Sequence, residues 1–141
     1  MIGVVVIPNE GKLLWDQWAV NANPDDRLQF GLFANDVDPD DDTVFADVTP
    51  SAFGGFTFFD LDKTNLSAAV IVANVSQILL DPPPQFICTT APNEDVLGWY
   101  LLNYTTSTIM AIFQFEDALT MRPGASITLD PCKFLLKGFV P

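Results

Sequence analysis

Histidine is absent from the 141-residue sequence, and that absence excludes a wide range of chemistry. Without an imidazole there is no His-activated serine or cysteine nucleophile, no His-ligated zinc, and no acid/base group that titrates unaided near neutral pH. Cysteine is scarce: Cys88 and Cys132 lack the CxxC spacing of a metal knuckle or a redox motif. They read as two buried thiols or as one cross-strand disulfide. Charge is thin, at 17% of residues, and one-sided, with 18 acidic against 6 basic side chains. A net charge of -12 opposes contact with phosphate backbones and anionic lipid, so neither nucleic acid nor membrane is an expected partner. Long apolar runs are missing too, since none approaches the roughly 20 residues of a membrane helix. The opening Met1-Ile2-Gly3-Val4-Val5-Val6-Ile7-Pro8 has no basic n-region, and its apolar stretch ends too early for a secretory h-region. Synthesis in the cytoplasm without a signal peptide is the expectation.

What the chain has in quantity is hydrocarbon. Hydrophobic residues make up 49%, with twelve Phe and three Trp, and the length fits a single domain over residues 1–141. The apolar residues are arranged unusually. In Val96-Leu97-Gly98-Trp99-Tyr100-Leu101-Leu102 alternate side chains leave a strand on opposite sides, and neither side is polar. Ile109-Met110-Ala111-Ile112-Phe113 and Ala68-Ala69-Val70-Ile71-Val72 repeat the pattern, whereas a self-sufficient sandwich alternates apolar-in with polar-out. Other subunits are therefore expected to cover the second face.

The order of elements predicts an all-β fold, an antiparallel β-sandwich or jelly-roll-like domain with one short N-terminal helix. Residues 1–8 form an extended arm, and Asn9 is placed to cap a helix reaching about Val20, with Leu14 and Trp18 on one face and Gly11 weakening it. Strands are expected over Leu28 to Phe33, Phe56 to Leu61, Leu66 to Ala73, Val75 to Leu80, Gln85 to Thr89, Val96 to Tyr104, Thr108 to Phe115, Ala125 to Asp130 and Cys132 to Lys137. Turn signals such as Asp81-Pro82-Pro83-Pro84 and Arg122-Pro123-Gly124 separate them, and Thr49-Pro50-Ser51 reads as a turn or a single helical turn.

Several constellations invite chemistry. Asp36, Asp38 and Asp40 have the one-three-five spacing of a calcium loop, with Asp47 twelfth, although Asp41 replaces the sharp-turn glycine and Pro39 is foreign to the motif. The loop reads as a solvated acidic tip or as a Ca²⁺ site of another geometry. Carboxylates pair at Asp60 with Asp62, Glu94 with Asp95, and Glu116 with Asp117, but turn chemistry accounts for each without a catalytic role, so no enzymatic activity and no resident cofactor are expected. Gly54-Gly55 between Phe53 and Phe56 reads as a bulge or bend. The expected subunit contacts are Val4, Val5 and Val6 of the arm and Trp99, Tyr100, Ile112 and Phe113 of the two-sided strands. The arm either completes its own sheet or adds a strand to a neighbour's edge.

Val6-Ile7-Pro8-Asn9 before a helix, Leu28 to Phe33 followed by Asn35-Asp36, then Asp47-Val48-Thr49-Pro50-Ser51-Ala52-Phe53-Gly54-Gly55-Phe56, Val96-Leu97-Gly98-Trp99-Tyr100 and Ile112-Phe113-Gln114-Phe115 together form a recognisable sequence of elements. The chain resembles small β-rich virion proteins of tailed bacteriophages, encoded among head and tail genes. The resemblance implies a structural role in the virion: a head decoration or cement protein, or a tail or baseplate component. It also implies partners among its own copies, as a homo-oligomer, and among other virion proteins such as a major capsid protein. It carries over no catalytic residue. A second class of function, recognition of host surface glycans at a tail tip, would need Trp or Tyr clustered in an exposed groove, with Ca²⁺ in the acidic loop as a possible adjunct.

Overall fold

The computed structural model describes residues 2–12, 27–61, 70–72, 75–79, 83–129 and 133–136. Among them the chain forms β1 (Leu28–Phe33), β2 (Phe59–Leu61), β3 (Val70–Val72), β4 (Val75–Leu79), β5 (Gln85–Ile87), β6 (Glu94–Asn103), β7 (Thr108–Met121), β8 (Ser126–Thr128) and β9 (Lys133–Leu136). All pairing between these strands is antiparallel, in a four-stranded sheet β2-β1-β6-β7, a three-stranded sheet β3-β4-β9 and a ribbon β5-β8. The fold is all-β and sandwich-like, as the pattern of short apolar runs between turn residues predicts.

Two local expectations need correction. The helical turn falls at Phe45–Asp47, not at Thr49-Pro50-Ser51. There the Asp47 carboxylate accepts the Val44 N–H at 3.0 Å, while Pro50 bridges Phe33 and the Ser51 N–H donates to the Leu32 carbonyl at 2.8 Å, drawing that stretch onto the end of β1. At the N-terminal helix, residues 9–12 are helical, but it is the Pro8 carbonyl that receives the Gly11 and Lys12 N–H groups, at 2.9 and 3.2 Å. The Asn9 side chain accepts from Lys12 Nζ at 3.0 Å and does not act as the cap. Residues 13–20, with Leu14 and Trp18, lie outside the described residues.

Gly11 is required by packing. It is buried against β7, where a Cβ would collide with the Ile109 carbonyl oxygen, and the Ile109 N–H donates to the Glu10 carboxylate at 2.8 Å. Gly11→Ala, which by propensity alone should strengthen a helix by about 1 kcal/mol, is therefore expected to destabilise the fold by about 1–3 kcal/mol in urea titrations.

The four-stranded sheet is apolar on both faces, as the sequence pattern indicates. Its first face carries Phe30, Leu32, Trp99, Leu101 and Ala111, which pack with Phe53, Phe86 and Ile127, so the ribbon β5-β8 forms the opposing layer. Its second face carries Phe33, Tyr100, Leu102, Ile109 and Ile112, packed with Val6 of the arm and with Val37, Phe45 and Val48 of the segment between β1 and β2. The expectation that other subunits must cover this sheet is thus corrected: the arm and an internal loop of the same chain cover it.

Glycines make room for that second layer. Gly31 lies opposite Tyr100 and Gly98 opposite Phe33, so each aromatic ring folds back over the glycine of the partner strand. At Gly98 a Cβ would meet both the Phe33 ring and the Phe113 carbonyl, at a register break in β6-β7. Because a main-chain oxygen cannot step aside as a side chain can, Gly98→Ala is expected to lose about 2–3 kcal/mol, measurable as a lower urea midpoint.

Candidate functional site

The arm, the middle of β7 and the acidic loop meet on one flank of the molecule. Val6 and Ile112 exchange both main-chain hydrogen bonds, at 2.8 and 2.9 Å, and the Gly3 N–H donates to the Gln114 carbonyl at 2.8 Å. The arm therefore lies along the edge of β7, with a turn at Gly3 (φ 74°), where the left-handed backbone suits glycine. Of the two readings of the arm, the structure shows it completing its own sheet.

Gln114 ties the acidic loop to the same place. It is 4% exposed, and its Oε1 accepts the Val37 and Asp38 N–H groups at 3.1 and 2.8 Å. Its Nε2 donates to Asp36 Oδ1 at 2.8 Å. Sequence reasoning missed this residue, which reads as an ordinary strand position. The available signal was a lone amide among apolar neighbours, because an amide at a buried position needs partners for both of its ends.

The calcium spacing does not become a calcium site. Asp36 is taken up by Gln114, and Asp40 Oδ1 accepts the Asp42 N–H at 2.9 Å and the Thr43 hydroxyl at 3.2 Å. Asp38 adopts φ 46° to let its N–H reach Gln114, and Asp47 is turned toward Val44. Among the described residues no three acidic, Cys or His groups gather closely enough to hold a metal ion, so Asp36, Asp38 and Asp40 are corrected to a hydrogen-bonded loop. Other carboxylates also serve the fold: Asp60 accepts from Gln29 Nε2 at 2.8 Å, Glu94 from the Ala52 N–H at 3.1 Å, and Asp95 from the Thr120 hydroxyl at 2.7 Å. Asp62 lies outside the described residues.

The expected contact residues divide sharply. Tyr100 and Ile112 are wholly buried and Trp99 is nearly so, with its ring edge-on to Phe30 at 5.7 Å and stacked on Phe113 at 6.0 Å. Phe113 is half-buried in the same cluster, and Val6 packs on the second face. Those five are corrected from subunit contacts to packing residues: Tyr100, Ile112 and Val6 pack with the loop on the second face, and Trp99 and Phe113 pack on the first face, with the ribbon β5-β8 opposite. Neither Trp99 nor Tyr100 is available to stack on a sugar, and Trp15 and Trp18 lie outside the described residues. Val4 and Val5 remain, with Ile2: they are 47%, 48% and 47% exposed, in the order named. Cys88 is a free, buried thiol whose Sγ donates to the Thr90 carbonyl at 3.3 Å, and Cys132 lies outside the described residues.

The chain matches no family model, and neither curated proteins nor solved structures supply a match.

Proposed function

We propose that the chain is a non-enzymatic structural protein of a bacteriophage particle that works by binding neighbouring subunits, as a capsid decoration or cement protein does. The observation that carries this reading is the half-exposed apolar arm, Ile2, Val4 and Val5, on a molecule whose four-stranded sheet is covered on both faces by its own chain. A contiguous apolar stretch left on the surface of so acidic a chain is suited to burial against a partner. The resemblance to virion proteins supplies the setting, and the absence of histidine from the sequence agrees with a role free of acid/base chemistry. With the faces of the four-stranded sheet covered internally, the contact moves from the strands to the arm.

The test is quantitative mass spectrometry of purified particles of the phage that encodes the chain. The proposal expects the protein in a fixed ratio to the major capsid protein, and expects Val4→Ser with Val5→Ser to lower that ratio. Particles that lack the protein, or a ratio that the double substitution leaves unchanged, would overturn it.

A further inference from the structure

The outer edge of the arm has a main chain without partners among the described residues. Because Val6 gives both its N–H and its carbonyl to Ile112, the alternation of an extended backbone turns the corresponding groups of Val5 and Ile7 away from β7. Among the described residues none of these groups has a partner, and Val5 itself is 48% exposed. Side chains alternate in the same way: Val6 packs on the second face of the sheet and Ile7 on the first, as expected of an edge strand. Such an edge is a template for one more strand.

The surroundings decide what can add to it. Glu116 leans over Gly3, within 3.1 Å of where a Cβ would stand, and exposed Asp117 follows it on β7. Asp36 and Asp38 are joined to Gln114, the residue that holds Gly3, and the Asp41 carbonyl accepts the Asn9 N–H at 2.8 Å. The basic side chain described on this flank, Lys12, is paired with Asp41 at 3.5 Å. A second copy would bring the same acidic rim and a further charge of -12, and like charges placed together oppose pairing. We infer that the outer edge of the arm, at Val5 and Ile7, is a β-augmentation site for an extended, cationic segment of a different protein. The inference rests on the reading of the chain as an assembly protein and specifies its partner's chemistry.

The experiment uses the full ¹⁵N-labelled chain and an acetylated seven-residue peptide of alternating Lys and Val. One control peptide carries methyl groups on alternate backbone nitrogens, and another carries Glu in place of Lys. The expected result is exchange of the Val5 amide slowed about tenfold or more by the Lys/Val peptide, as for a newly paired strand. Binding should weaken about tenfold on backbone methylation, and again between about 50 mM and about 300 mM salt as the acidic rim is screened. Val4→Ser with Val5→Ser should weaken binding while leaving the melting temperature in place, because both side chains are exposed.

Unchanged Val5 exchange, equal binding of the Glu peptide, or Val5 protection that grows with protein concentration alone would each overturn the inference. The last would identify a second copy as the occupant. Presence in particles with no Val5 protection would reject the edge and keep the assembly role. Val5 protection with absence from particles would do the reverse.

Discussion

Truncation of Tyr100 to alanine is expected to remove about 3–5 kcal/mol of unfolding free energy, the range for emptying a fully buried aromatic site. The ring lies over Gly31, packs near Phe45 at 5.9 Å between centroids, and sits in the cluster that joins the sheet to its covering loop, so neighbours cannot close the space cheaply. Tyr100→Phe should have the opposite sign. The hydroxyl is buried without a hydrogen-bond partner, and deleting it relieves a desolvation cost of about 1–3 kcal/mol, partly offset by lost packing. Urea unfolding of the two variants beside the parent decides the matter.

The same hydroxyl ties stability to alkaline pH. Burial pushes the Tyr100 phenol above its ordinary value of 10.0. A group whose folded pKa is raised leaves stability fully present below the unfolded pKa, and stability falls as pH climbs beyond it. Unfolding free energy should therefore decline above about pH 10 in the parent, and less steeply in Tyr100→Phe.

Gln114→Ala is expected to cost about 2–4 kcal/mol, because it strips the partner from two main-chain N–H groups, those of Val37 and Asp38, and releases the loop from β7. Loss of the clip exposes the second face of the sheet, so a hydrophobic dye should bind the variant before global unfolding. Gln114→Glu separates hydrogen bonding from shape. The ionised carboxylate keeps an acceptor but faces Asp36 where Nε2 donated, so the variant should be weak at neutral pH. Acidification should restore part of the loss, since the protonated acid can donate again.

The strands were legible because their alternation and the turn residues between them are local signals. β1 occupies Leu28–Phe33 as expected, and β4, Val75–Leu79, falls within its expected span, whose last residue, Leu80, lies outside the described residues. β7 runs beyond the expected Phe115 to Met121, because its continuation through Glu116 and Asp117 has no apolar alternation and pairs with β6 only after a register break. The segment between β1 and β2 was read for its carboxylates, which do face solvent, and not for Val37, Phe45 and Val48 interleaved with them. Three apolar residues among aspartates are what a loop needs to cover a sheet, yet their inward direction depends on Gln114, far along the chain. Apolar character on both sides of β6 was likewise plain from sequence, whereas the identity of its cover was a long-range matter that no local pattern encodes.

Whether the chain covers its own sheet is tested most directly by urea unfolding of the isolated protein, followed by tryptophan fluorescence over an about 100-fold range of concentration. If the arm and the loop from Ala34 to Pro50 do the covering, the midpoint stays where it is across that range. A stability that climbs by about 2.7 kcal/mol with the same increase in concentration would mean that a second copy completes the fold, and would contradict the account.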